Sequence, residues 1–262
     1  MALVFVFLYA PIVLLIVFSF NKSKSRGAWT GFTLSWYQRL FTNEAIIQSL
    51  INTLVVALIS SVLATVIGTL AAIGIRNMGR LSRSVVMNVT YMPVINPEIV
   101  TGVSLMLLFV FVKNAGVQLE FGFVTLVLAH ITFNIPYVIL NVMPKLRQMD
   151  VSVYEAAQDL GCSPMQAFFK VVIPEIMPGI LAGFLMAVTY SLDDFIISYF
   201  VSGPKFQTLP IRIFSMTKKR VTPDMYALST IMFIVILVLL VLVNVLQAQG
   251  DNRKEKKGGA AK

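Results

Sequence analysis

The sequence predicts an all-α, polytopic membrane protein of about six transmembrane helices, folded as a single domain over residues 1–262. Three observations carry that prediction. Hydrophobic residues are 57% of the chain and charged residues 13%, about half the charge of a soluble domain, which runs near a quarter. Mean hydropathy is +0.83. The apolar residues fall in six blocks, 3–20, 50–75, 85–112, 122–143, 178–200 and 226–248, rather than at a helical or alternating period. A hydrocarbon core about 30 Å thick takes ~20 residues of helix at 1.5 Å each, and each block is near or beyond that length. Because lipid offers no hydrogen bonds, the backbone of each block must satisfy itself, as a helix does.

The first block, Leu3 to Phe20, is longer than a signal-peptide core and has no basic flank before it, so it reads as a retained span. The second is followed by Arg76, Arg80 and Arg83. The third contains Met92-Pro93-Val94-Ile95-Asn96-Pro97-Glu98. Two prolines break the helix there, and a restart has Asn96 as N-cap, Pro97 at the first position and Glu98 in the first turn. Broken helices at membrane depth are tolerated where they line a cavity, so Glu98 reads either as a charge offsetting the helix dipole or as an acid facing a substrate. The fourth block carries His130, the one histidine of the chain, read as a contact between helices or as part of a pathway.

The fifth block holds Asp193 and Asp194, ~21 Å along a helix from Gly179. A carboxylate at the bilayer centre costs about 2.5–3.5 kcal/mol on insertion scales and is by default a functional hypothesis. Adjacent residues point ~100° apart, so at most one of the pair faces a narrow pore squarely. The rival readings are structural. Ser191 with Asp194 caps a helix restarting at Leu192, or an ion pair forms with Arg212. The sixth block runs into Arg253, Lys254, Lys256 and Lys257.

The net charge of +9 is not gathered on one amphipathic face, as a nucleic-acid surface requires, and no nucleic-acid partner is expected. The basic residues punctuate the spans instead, as juxtamembrane loops do beside an anionic cytoplasmic leaflet. With both termini inside, the cytoplasmic segments are 76–84, 144–177 and 249–262. Lys and Arg divide almost evenly between these and the outer segments, so charge alone does not orient the chain. The single Cys162 excludes an internal disulfide. No Gly-x-x-x-x-Gly-Lys-Ser/Thr loop is present and one histidine leaves no multi-His metal site, so neither ATP hydrolysis nor metal chemistry is expected of this chain alone.

The 144–177 segment reads as two short helices around a tight turn. Ser152 and Glu155 make a capping box, and Gly161 a left-handed stop. Ser163, Pro164 and Gln166 supply an N-cap, a proline at the first helical position and a second capping box. Pro174 and Pro178 end the second helix and lead into the fifth span. Taken alone, this is an amphipathic interfacial loop. The spacing says more: Glu155-Ala156-Ala157 is followed by Gly161, six residues after the Glu, and Pro174, nineteen after it. Given the tripeptide, a Gly and a Pro at two set positions coincide by chance roughly 0.35% of the time.

That pattern resembles the EAA loop of ABC importer permeases, with Val171 and Ile173 where the family usually has Ile and Leu, and Cys162 for a frequent Ala. The resemblance runs over nearly the whole chain and points to the spermidine/putrescine branch. It lies at Tyr9-Ala10-Pro11 through Phe18-Ser19-Phe20-Asn21, Trp36-Tyr37, Ala129-His130-Ile131-Thr132-Phe133 and Ser191-Leu192-Asp193-Asp194. Ser202-Gly203-Pro204, Leu209-Pro210 and Pro223 with Ala227-Leu228 continue it, while Asp224, Tyr226 and Ser229 stand where Glu, Asn and Ala are usual.

The resemblance implies a MetI-like fold in the bacterial cytoplasmic membrane. It implies a coupling loop, Glu155, Ala156, Ala157, Gly161 and Pro174, docked in a groove of a cytosolic ATPase and therefore inside the cell. One loop per chain implies a second permease subunit, identical or not. Two cytosolic ATPase subunits would bind the ATP and Mg that this chain does not, and an extracytoplasmic polyamine-binding protein would deliver substrate. The implied function is the membrane pathway for polyamines. These are linear multivalent cations, suited by carboxylates and aromatic faces: Glu98, Asp193 and Asp194 with Tyr190, and also Tyr91 and Tyr199. Two other expectations compete, an importer for another small solute and an ATP-independent secondary transporter or channel.

Overall fold

The computed structural model describes residues 2–23, 28–219 and 223–259. The chain begins with α1 (Ala2–Ser19) and the short amphipathic α2 (Ser35–Thr42), followed by α3 (Glu44–Arg76), α4 (Arg80–Ile95), α5 (Glu98–Asn114) and α6 (Phe123–Gln148). A loop then carries α7 (Val151–Asp159) and α8 (Pro164–Ala167), and α8 continues through a π-helical turn, Phe168–Val172, into α9 (Ile173–Asp193). Last come α10 (Ile196–Val201), α11 (Leu209–Lys219) and α12 (Pro223–Gly259). Among the described residues there is no strand, and a single bridge pairs Asn21 with Phe32.

All six apolar blocks form helix, but not six equal spans. Glu44–Arg76, Phe123–Gln148, Pro164–Asp193 and Pro223–Leu242 are long and apolar enough to cross a bilayer. The third block is a bent pair, α4 and α5, meeting at 104°. Helix α1 is shorter, 18 residues or ~27 Å, and lies along α12. The bend has a covalent cause. Pro97 has no N–H to give the carbonyl of Pro93, and a residue before proline is pushed to extended backbone; Asn96 sits at φ −66°, ψ 141°. Asn96 therefore closes α4 instead of capping α5, which starts at Glu98 with no side-chain cap.

Helices α3, α6 and α9 form the central seam. Lipid supplies no hydrophobic drive between helices, so association depends on close packing over small residues. The buried face of α3 is built from such residues, among them Thr53, Ala57, Ser60, Ala64, Gly68 and Ala72. A Cβ at Gly68 would lie 2.8 Å from the Cβ of Val138, and one at Gly183 3.2 Å from its Cα. Helix α6 is thus gripped from both sides at a fully buried Val138.

The two ends of the bundle differ. At one end Ala72, Ile75, Met87, Leu146, Met149, Val172 and Ile176 form one apolar cluster. There the Arg83 guanidinium donates to the carbonyls of Arg76 (2.6 Å) and Met78 (2.9 Å). Segments 76–84 and 144–177 therefore share an end. At the opposite end Trp36, Leu40 and Ile46 pack with Leu209, Ala227 and Leu228. The side chains of Arg253, Lys254, Lys256 and Lys257 in the basic tail lie outside the described residues.

Candidate functional site

Two interrupted helices meet in one cleft. The α4–α5 elbow and the α9–α10 break, with α6 behind them, enclose ≈ 170 Å³ lined by Pro93, Glu98, Thr101, Phe133, Tyr137, Tyr190, Asp193, Asp194 and Ile197. Glu98, Asp193, Asp194 and Tyr190, read separately from the sequence, are brought together. Tyr91 and Tyr199 are not. Tyr91 lines a separate pocket with Met143 and Arg147, and Tyr199 packs with Phe195 and Phe214.

Phe133 and Tyr137 are the cleft aromatics that sequence reasoning missed; the Tyr137 ring stacks on Tyr190 with centroids 4.3 Å apart and planes 28° from parallel. A signal was available. Phe133 and Tyr137 stand three and seven residues after His130, the spacing of one helix face.

The three acids differ in their bonding. Glu98 opens α5 and Asp193 closes α9; both side chains are exposed to the cleft, and among the described residues no ion pair reaches either. Asp194 is tied down. One carboxylate oxygen accepts the Ile197 N–H at 3.2 Å and the other the Ser198 N–H at 2.7 Å, covering the first-turn amides of α10. The restart thus begins at Ile196 rather than Leu192, and Ser191 is not the capping partner. The α9 ladder runs on to the Asp194 N–H, bonded to the Tyr190 carbonyl at 3.1 Å, so Ser191 is still inside a helix when the chain breaks. Its hydroxyl bonds Nδ1 of His130 and lies 3.2 Å from that of Ser60. The partner of Asp194 is Nε2 of His130 at 3.5 Å, not Arg212.

The loop departs from expectation at both ends of its motif. Helix α7 is capped by Asp150, whose carboxylate accepts the Ser152 N–H at 3.0 Å, and that bond holds its carboxyl below the usual carboxylate range. Ser152 consequently lies inside the helix, and the expected Ser152–Glu155 capping box does not form. The end of α7 is as expected. Gly161 has φ +87°, its N–H reaches the Gln158 carbonyl at 2.8 Å and the Cys162 N–H that of Ala157 at 3.1 Å, a Schellman motif. The Ser163–Gln166 capping box is present, with Pro164 at the start of α8.

Pro174 and Pro178 do not end the second helix; they sit within a continuous Pro164–Asp193 segment. The π turn explains this. The Ile173 N–H bonds the Phe168 carbonyl, a wider loop than the α ladder, which relieves the clash and the missing bond that Pro174 would cause. Glu155 and Ala156 are exposed and Ala157 is half-buried. Beside them Leu160, Met165 and Phe169 are open apolar surface, Leu160 at 87%.

The sequence profile of the family described as "Binding-protein-dependent transport system inner membrane component" matches residues 64–256, which include the loop and the cleft. The chain belongs to this family. As a family member it is a multi-pass protein of the inner membrane. Its relatives include the spermidine/putrescine transport system permease protein PotC of Haemophilus influenzae, 38% identical over 252 residues and 96% of each chain. The putrescine transport system permease protein PotI of Escherichia coli K12 is 39% identical over 230 residues, 87% of this chain and 82% of that one. The fold is shared with a bacterial ABC transporter that imports alginate, at TM-score 0.69 and 16% identity over 96% of this chain and 92% of the other. It is shared also with the MetNI methionine transporter, at TM-score 0.56 and 19% identity over 80% and 96%. The all-α importer-permease fold expected from the sequence is the one observed.

Proposed function

We propose that this family member is the permease subunit of an ATP-driven importer of polyamines, and that Glu98, Asp193 and the Tyr137–Tyr190 stack receive the cation as it crosses. One observation carries the reading: two carboxylates with no ion-pair partner among the described residues face one cleft where two membrane helices break. A charge at that depth is costly until a compensating group arrives, and a passing ammonium is such a group. The aromatic faces of Tyr137 and Tyr190 add cation–π attraction for the same ligand. Asp194 contributes charge to the cleft while α10 amides occupy its oxygens. Relatives named for spermidine and putrescine transport support the choice of substrate.

Coupling follows from the loop. Glu155, Ala156, Ala157, Gly161 and Pro174, with exposed Leu160, form the contact for a cytosolic ATPase subunit that binds ATP and Mg. Because α8 runs unbroken into α9, a push on the loop travels along a 30-residue helix, ~45 Å long, to Asp193. Closure of two ATPases on ATP would draw the loops of this chain and a second permease subunit together and open the pathway outward to an extracytoplasmic binding protein; hydrolysis would reset it. The test is reconstitution of the co-purified complex in liposomes with radiolabelled spermidine. Uptake that needs both ATP and the binding protein is expected. Uptake by this chain without any ATPase would overturn the reading in favour of a secondary transporter.

A further inference from the structure

The α9–α10 break is held by side chains. The α ladder is interrupted there: the Ser198 N–H, which in an unbroken helix would reach the Asp194 carbonyl, goes to the Asp194 carboxylate instead. One side chain from outside touches both halves. His130, on α6 and 1% exposed, bonds Ser191 on α9 through Nδ1 and lies 3.0 Å from the Ser198 hydroxyl on α10 through Nε2. The same Nε2 is 3.5 Å from the Asp194 carboxylate, and Ser191 is tied on to Ser60 of α3. A carboxylate accepts and never donates, so the ring nitrogen that faces it, Nε2, carries a hydrogen. With no water in the bilayer core to compete, such bonds persist.

We propose that His130 is a positioning residue that decides which of the two adjacent aspartates faces the substrate. Asp193 and Asp194 have the same chemistry and point ~100° apart. A rotation at the break would exchange them. His130 holds Asp194 inward against α6 and α10, and that leaves Asp193 turned into the cleft with Glu98. The inference rests on the reading of Asp193 as a cation contact, and its test separates the two.

Cys162 is the one cysteine of the chain, so a Cys162→Ser background lets a single thiol of this chain report at position 193. In the assembled complex in vesicles, the rate of modification by a cationic methanethiosulfonate reagent is measured for Asp193→Cys, where Asp194 keeps its carboxylate, with His130 intact, His130→Ala or His130→Gln. With His130 intact the thiol should react fast. With His130→Ala the rate should fall roughly tenfold, because thiol reactivity follows exposure. His130→Gln, whose amide can donate to the Asp194 carboxylate, should restore much of it. Where His130→Ala fails to assemble, Ser191→Ala and Ser198→Ala, each removing one bond, should give the same change in smaller measure. An unchanged rate without the imidazole would overturn the positioning role. Normal spermidine uptake by Asp193→Asn would overturn the cation-contact reading instead, whatever the labelling shows.

Discussion

At the scale of single residues, three carboxylates of similar sequence setting divide into two kinds of work. Asp194 spends both oxygens on the amides of Ile197 and Ser198, whereas Glu98 and Asp193 face the cleft. Asn has one acceptor oxygen where Asp194 uses two, and losing a cap costs about 0.5–2 kcal/mol. Asp194→Asn should therefore lower the thermal stability of the purified complex and Asp194→Ala should lower it further, measured by denaturation in detergent. Wild-type stability in both variants would show that the Asp194 bonds do not hold the break. The sequence revealed that acids lay deep in apolar runs but not which was bonded. That depended on where α9 stopped, and a shift of the restart from Leu192 to Ile196 changed the capping partner from Ser191 to the backbone beyond Asp194. Tyr137 shares a helix face with His130, but its stacking on Tyr190 joins residues 53 apart, and only the fold brings that pair together.

At the scale of elements, the loop is a turn of fixed geometry between α7 and α8. Gly161 occupies left-handed backbone, and a Cβ there would meet nothing within 4 Å. The penalty for a side chain is thus in the backbone, roughly 1–2 kcal/mol for a left-handed residue, and not in a clash. Gly161→Val should leave membrane insertion intact and reduce co-purification of the ATPase subunits and spermidine uptake together; wild-type values of both would sink the coupling assignment. At the seam the penalty is the reverse. Gly183→Leu must push a side chain into the backbone of Val138, so the yield of folded protein in gel filtration should collapse. Local caps were legible where they depended on neighbours in sequence, as in the Ser163–Gln166 box and the Gly161 stop. They were misread where a competitor stood two residues away, as Asp150 does beside Ser152. The prolines misled for a different reason: the π turn before Pro174 accommodates its ring and missing N–H, so the helix runs on through it.

At the scale of the whole molecule, the bundle has one end that gathers segments 76–84 and 144–177 and another that gathers α2 with Leu209 and Ala227. Near-even basic charge could not distinguish them. The apolar blocks located the long helices, of which four among the described residues are long and apolar enough to cross a bilayer and one more is the bent pair, and the elbow was foreseeable from Pro93 and Pro97. Reporter fusions after Arg83 and at Cys162 should give the same, cytoplasmic, answer, and one near Gln38 the opposite; any other pattern would contradict the pairing of the ends. The central claim is that a cation crosses this membrane past carboxylates held where two helices break. Radiolabelled spermidine uptake by vesicles carrying Glu98→Gln, Asp193→Asn and the double variant tests it most directly, with assembly checked by co-purification and ATPase activity measured alongside. Loss of a hydrogen bond to a charged group is worth about 1.5–3 kcal/mol, so each single variant should slow uptake by roughly ten- to a hundredfold while assembly and basal ATPase activity survive. Near-normal uptake in the double variant, in an intact complex, would contradict the account.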